Sequence, residues 1–201
     1  EDIDAAQHHV HVLTYILLVD HSGTRLAEAL MRAAKRGVQC RVLVDAVGSK
    51  LFLKSKLRRS MEQAGVRVVA ALAVHPLRML LARIDLRNHR KIAVIDGVIG
   101  YTGSTNIADA AFAIKPKFAP WVDASVGVVG PIAWDLQILF IEDWYLDTNE
   151  SLDNLLHVQP LAQREGVAAQ LIGTGPNSYN EALRQLIHAA FHAAREELIM
   201  T

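Results

Sequence analysis

One cysteine, six prolines and an aromatic share of 6% in 201 residues put several architectures out of reach. With Cys40 alone, no internal disulfide and no cysteine-based zinc cluster can form, so a packed core must hold the fold. Twelve glycines and six prolines are too few for a collagen-like or low-complexity chain. Long hydrophobic runs are missing as well. The best candidate, residues 10–19, is interrupted by His11 and ended by Asp20, short of a membrane span. No signal-peptide pattern opens the chain. It begins with Glu1 rather than methionine, so upstream sequence is expected to have been removed, and the missing anchor says little about a longer parent.

What is present is ordinary globular material, 51% hydrophobic and 21% charged, enough for one domain and part of another. The 21 basic and 21 acidic residues cancel, but unevenly. Residues 50–91 carry eleven Lys or Arg against Glu62 and Asp85, a net +9, leaving ten basic and nineteen acidic residues, −9, elsewhere. Such a block is most often a solvated helix face, and it also attracts phosphate-bearing partners such as nucleic acid or anionic lipid.

The first half alternates strand and helix periods. Residues 10–19 read as a buried strand, and Ser22 or Thr24 caps a helix through Leu26, Leu30 and Ala34 that Gly37 stops. Residues 38–45 form a second strand, 51–64 a basic helix ended by Gly65, and 66–72 a third strand. This order predicts an α/β fold with a parallel or mixed sheet covered by helices. Residues 76–87, apolar with interspersed arginine, read as a loop or short helix, or as a surface element dipping toward lipid. A hairpin over 87–106, a strand over 121–129, a helix over 131–145 and a linker over 147–166 follow. Residues 3–15 and 187–201 share an I-x-A-A helix running into a strand, which predicts a second module starting near residue 167.

The hairpin carries the chemistry. Asp96-Gly97 signals a type I′ turn, so Ile95 should pair with Val98 and every cross-strand pair should sum to 193. In that register His89, Lys91, Ser104 and Asn106 emerge on one face, the first two roughly 6.5–7 Å apart. An ammonium and a carboxamide can hold the non-bridging oxygens of a phosphodiester while an imidazole attacks phosphorus. Other features read more blandly. His8-His9-x-His11 fits no metal-ligand spacing and reads as an exposed helix end. Asp45 and Ser49 read as a turn at a strand end, Trp134, Phe140 and Trp144 as core, Cys40 as inert, and Gly173-x-Gly175-Pro176 as a turn.

The spacing His89-x-Lys91-x4-Asp96-x6-Gly103-Ser104-x-Asn106 is identified as the HxKxxxxDxxxxxxGSxN signature of the phospholipase D superfamily. The flanks LRNHRKIAVIDG, DAVGS at 45–49, Trp121-x-Asp123 and GPIAWDLQILFIEDWY resemble the first half of bacterial cardiolipin synthases, a likeness covering nearly the whole chain. The resemblance implies an α/β phospholipase D-like sandwich, a mixed, mostly parallel sheet flanked by helices. It implies a first domain over 1–146, a linker over 147–166 and the truncated start of a second domain over 167–201.

By that resemblance His89 is the nucleophile that becomes a phosphohistidine, with Lys91 and Asp96 completing the catalytic set. Asn106 is a phosphate ligand, with Ser104 in the same shell, and Asp96 has a structural look, steadying the turn. Asp123 is the candidate carboxylate partner of His89, although the family's arginine after the tryptophan is Val122 here. No metal and no cofactor are needed. The expected function is phosphatidyl transfer of the cardiolipin synthase type. The expected partners are an anionic phospholipid such as phosphatidylglycerol, a membrane surface, and a second motif-bearing domain or a homodimer partner. Nucleic acid is not expected. The parent is expected at the bacterial inner membrane and this chain in solution. Family enzymes use two motifs, and no second histidine here has the spacing: His75, His157, His188 and His192 all fail, so the chain is read as an N-terminal half carrying one half-site. Two alternatives stand beside it: a single-motif dimeric nuclease or phosphodiesterase of the same superfamily, and a non-catalytic lipid-binding half.

Overall fold

A computed structural model describes residues 1–71, 87–112, 120, 122–157, 166–175 and 181–199. The segment 76–86, His75, Trp121, Pro176 and the last two residues, each named in the sequence reading, lie outside the described residues.

The strands are β1 (His9–Thr14), β2 (Gln39–Asp45), β3 (Arg67–Ala71), β4 (Ile92–Ile95), β5 (Ile99–Gly103) and β6 (Ser125–Val129). They form one sheet in the order β3-β2-β1-β4-β5-β6. Among these strands β1 pairs in parallel with β2, and β2 with β3, whereas β1–β4, β4–β5 and β5–β6 are antiparallel. The sheet is therefore mixed, two parallel ladders against three antiparallel ones. The parallel half is the part wound through helices. The antiparallel half includes the hairpin.

Helices α1 (Asp2–Ala5), α2 (His21–Lys35), α3 (Lys50–Leu53), α4 (Lys56–Gln63), α5 (Pro131–Thr148) and α6 (Glu181–Ala193) accompany it. Side-chain alternation divides the core into two layers. Val10, Val12 and Val42 pack with Leu30, Phe52 and Met61 from α2, α3 and α4. Leu13, Leu43 and Val94 pack with Leu136, Phe140 and Trp144 from α5. Phe140 and Trp144 are core residues as expected, and Cys40 is buried with its thiol pushed up to about 11 by desolvation.

Three boundaries differ from the sequence reading, each because a polar side chain claims the backbone. The apolar run from residue 10 outlasts β1, since the N–H groups of Ile16 and Leu17 donate to Asn106 and Ser49 rather than to a neighbouring strand. Asp20, not Ser22 or Thr24, caps α2 by accepting from Gly23 N–H. The single helix expected over 51–64 is split, because Ser55 accepts from Arg58 N–H and starts α4 afresh.

The histidines near the N-terminus correct a further expectation. His9 and His11 are not on an exposed helix end; they are buried in β1, facing α5. His11 lies between Arg41 Nη1 at 3.2 Å and Gln137 Oε1 at 3.1 Å, stacks on Phe140 at 4.4 Å, and has His9 at 4.6 Å on its other side. Burial holds both imidazoles below the ordinary histidine value, His11 well below, with His9 and Arg41 adding to the effect on His11. Burial thus favours the neutral form of both in the folded state, while the unfolded chain takes up protons below about pH 6.5. Stability should therefore fall as pH drops below that value toward the lowered folded pKa values, more through His11 than through His9. Chemical-denaturation midpoints at pH 7.5, 6.5 and 5.5 check this, and His11→Gln should flatten the slope.

Candidate active site

Residues 87–91 lie just outside β4, yet side chains fix them. Arg87 donates to Asp45 through Nε at 2.8 Å and a terminal nitrogen at 3.0 Å, both side chains being nearly covered. Asn88 Nδ2 donates to Asp143 Oδ2 at 2.8 Å, and Arg90 Nη1 reaches both oxygens of the same carboxylate at 2.7 and 2.6 Å. Arg90 Nε also donates to Thr174 O at 2.8 Å. Three of five side chains thus hold the strap down, and His89 and Lys91 line the cleft above it together with Arg87 and Arg90.

That cleft, of about 300 Å³, is bordered by His89, Lys91, Thr102 and Gly103 on the sheet side and by Leu136 and Leu139 of α5. Residues 171–175 form its remaining wall, so Gly173 and Gly175 border the site rather than a detached turn. The cleft sits beside the C-terminal end of β1, where open α/β sheets place ligands.

His89 is exposed, and its ring stacks on Tyr15 with centroids 4.0 Å apart and planes at 19°. Desolvation, then the Lys91 and Arg87 charges, lower its pKa, while Asp45 raises it. The imidazole is therefore biased toward its neutral, nucleophilic form. Lys91 Nζ donates to His89 O at 2.7 Å and lies 5.9 Å from the Tyr15 ring centre. Desolvation lowers the pKa of Lys91, and the charge of Asp123 raises it. Tyr15 is itself anchored, its carbonyl accepting from Ser49 Oγ at 3.1 Å. A side chain at Gly48 would come within 2.4 Å of that carbonyl, so only glycine fits there.

The other motif residues reach the site by a route the simple hairpin does not contain. Asp96 and Gly97 both have positive φ, 53° and 69°, and Val98 N–H donates to Ile95 O at 3.0 Å, a type I′ turn as expected. Pairing, however, resumes at Ile95 with Ile99, and Ile92 meets Thr102, a register summing to 194 rather than 193. Val98 is an inserted residue, a bulge beside the turn. Continued as a flat ladder, this register would turn Ser104 and Asn106 away from His89 and Lys91. The chain instead leaves β5 at Gly103, whose φ of 151° favours glycine and whose Cβ would lie 2.2 Å from Ala124 O.

After that break Ser104 Oγ donates to Asp123 Oδ1 at 2.7 Å and accepts from Ala124 N–H at 2.9 Å. Asn106 Oδ1 accepts from Ile16 N–H at 3.1 Å, next to Tyr15, which leaves its amide nitrogen as the donor end. Asn106 and Asp123 border a small neighbouring pocket of about 60 Å³. His89 and Lys91 are thus brought together, and so are Ser104 and Asp123, while Asn106, on the segment after β5, is hydrogen-bonded to the β1 exit at Ile16.

The two other candidate carboxylates are both held by hydrogen bonds to groups other than the His89 ring. Asp123 is hydrogen-bonded to Ser104, and the carboxylate acting on the His89 ring is Asp45. Asp96 stands at the other end of β4, seven residues and on the order of 20 Å of extended chain from His89. There it accepts from the N–H groups of Gln7, His8 and His9, each at 2.8 Å, which hold its carboxyl below the usual range despite partial burial. It fastens the start of β1. Asp45, buried, accepts from Val47 and Gly48 N–H besides Arg87, so the 45–49 turn is what forms. Among the described residues no group of three or more His, Cys, Asp or Glu side chains could hold a metal ion, and no helix is long and apolar enough to cross a membrane. Tyr15, Arg90 and Asp143 are the site residues that sequence reasoning missed.

Residues 1–117 match a family model described as cardiolipin synthase, PLD-like domain. Cardiolipin synthase A of Yersinia pseudotuberculosis serotype O:1b (strain IP 31758) is 39% identical over 204 residues, covering 100% of this chain and 42% of the relative. Cardiolipin synthase A of Yersinia pestis has the same identity and coverage. This chain thus spans 42% of the length of these curated relatives. Among solved structures, NucT from Helicobacter pylori shares the fold with a TM-score of 0.50 at 15% identity, covering 71% of this chain and 82% of that one.

Proposed function

Because this chain belongs to the cardiolipin synthase, PLD-like domain family, we propose that it supplies one half-site of a phosphatidyl transferase, with His89 as nucleophile and an anionic phospholipid such as phosphatidylglycerol as donor. The observation that carries this reading is the strap 87–91, which presents a neutral-biased imidazole and an adjacent ammonium to one cleft. The unprotonated nitrogen of His89 attacks phosphorus, a P–N bond forms, and the P–O bond to the head-group glycerol breaks, the alkoxide taking a proton. An alcohol on a second lipid then attacks phosphorus, losing its proton, and the P–N bond breaks to restore histidine. Lys91 Nζ and the Asn106 amide hold the non-bridging oxygens as charge builds on them. Asp45 supports the positive ring that forms when histidine is phosphorylated, Ser104 and Asp123 position the loop, and Asp96 is structural. In this reading residues 1–146 form the catalytic unit and 167–201 lead into a second one, which completes the site at a membrane surface.

The test is a covalent trap. The chain is incubated with phosphatidylglycerol vesicles, denatured at alkaline pH to preserve phosphohistidine, and digested for mass spectrometry. A phosphatidyl mass on the peptide containing His89, absent from His89→Ala, is the expected outcome. An adduct on another residue, or none even from a nitrophenyl phosphodiester whose leaving group needs no acid, removes His89 from this role.

A further inference from the structure

A second opening adjoins the phosphate cleft on the opposite face of the sheet. It is a groove of about 180 Å³ whose floor and walls include Val12, Ala93 and Ile107, Leu26 of α2 and Tyr101 of β5. Lys91, Ile92, Thr102 and Gly103 border both it and the cleft beside His89, so the two openings share the Lys91 end of the β4–β5 pair.

The groove also has hydroxyls on its lining, but each is already engaged. Thr14 Oγ1 donates to Ile16 O at 3.1 Å and Thr102 Oγ1 to Lys91 O at 2.9 Å. Thr105 and Ser125 share a hydrogen bond of 2.7 Å, and the Tyr101 hydroxyl donates to Asp2. What the lining offers an occupant is a mainly apolar surface with Lys91 on its border. Leu26, Ala93 and Ile107 are only partly buried, so this surface remains in contact with water until something covers it. Apolar cavities of about 150 Å³ already accept a small hydrocarbon.

We propose that this groove is an acyl-chain subsite, taking a segment of hydrocarbon from the lipid whose phosphate lies at Lys91. The inference rests on the phosphate-site reading above, because it is the shared Lys91 border that ties the groove to an amphiphile with an anionic head. A peptide or a second protein would have no need of a cation placed at one end of an otherwise apolar slot. A phosphate ester of an alkyl alcohol has that shape.

Calorimetric titration of the chain with inorganic phosphate and with butyl, hexyl and octyl phosphate, all below their micelle concentrations, tests it. Each methylene withdrawn from water strengthens binding by up to about fourfold, so affinity should climb along the series and level off once the groove is full. Ala93→Leu fills the floor and Leu26→Gln makes a wall polar. Either should flatten the series to within about threefold of phosphate while leaving phosphate affinity unchanged. Leu26 lies partly exposed on α2, so that variant serves if the Ala93 substitution does not fold. A flat series in the unmodified chain, or a rising series that both variants leave intact, overturns the proposal. If octyl phosphate binds with the rising, groove-dependent series while phosphate alone does not bind, the acyl subsite stands and the phosphate reading falls.

Discussion

Replacing Asp143 with leucine is expected to destabilise the chain by about 3–5 kcal/mol, the usual cost of leaving a buried charge without its partner. Asp143 is 3% exposed at its side chain and receives both Arg90 and Asn88; Arg90 opposite it is 11% exposed. Leucine removes the carboxylate to which Arg90 Nη1 and Asn88 Nδ2 donate and offers no acceptor in its place. For a chain of this length each kcal/mol moves the melting temperature by roughly 2–4 °C, so the drop should be on the order of 10 °C. A structural role alone would end there. Because Arg90 and Asn88 flank His89, the same substitution should also release the strap, and binding of inorganic phosphate should fall about tenfold or more at temperatures where the variant is still folded. Adding Arg90→Leu removes the orphaned charge and should recover most of the melting temperature without restoring phosphate binding. A single variant that melts within a degree or two of the unmodified chain would falsify the pinned-strap account.

How these pins escaped a reading of the sequence, while the motif they serve did not, follows from distance along the chain. The β-α-β-α-β order, the helix α5 and the type I′ turn rest on local periodicity and turn chemistry, and each forms near its expected place. His89, Lys91 and Asn106 were legible because a spacing within eighteen residues carries them. The long-range partners lie elsewhere: Asp143, which pins the strap carrying His89, is 55 residues from Asn88, and Gln137, which bonds the buried His11, is 126 from it. One signal was available. Asp143 and Gln137 both fall on the stripe of Leu136, Phe140 and Trp144, and an acid on an apolar stripe asks for a buried partner. The bulge at Val98 had no such signal, since Asp-Gly favours the same type I′ turn with or without an extra residue after it. The exit of Gly103 through positive φ likewise depends on where Ala124 passes, which only the folded sheet decides.

With a phosphodiester whose leaving group departs as a stable anion, such as a nitrophenyl ester, the chain should release one equivalent of nitrophenolate in a burst and then nearly stop. With phosphatidylglycerol the same chain should react slowly. The difference comes from the proton. Glycerol alkoxide must be protonated as it leaves, and a positioned general acid commonly contributes about 10²–10⁴-fold to that step. No histidine other than His89 is followed two residues later by lysine, so the sequence holds no second motif to supply the acid. Nitrophenolate needs no proton, and the nucleophile alone suffices. The burst should vanish in His89→Ala. The pH at which its rate declines should lie below the ordinary histidine value, because desolvation, then the Lys91 and Arg87 charges, lower the pKa of His89. Turnover of phosphatidylglycerol that rises with chain concentration would mean that two copies dock motif to motif, each lending the other its histidine as acid. Fast turnover of phosphatidylglycerol that does not change over a dilution series would place the acid within a single copy, and the half-site reading would be wrong.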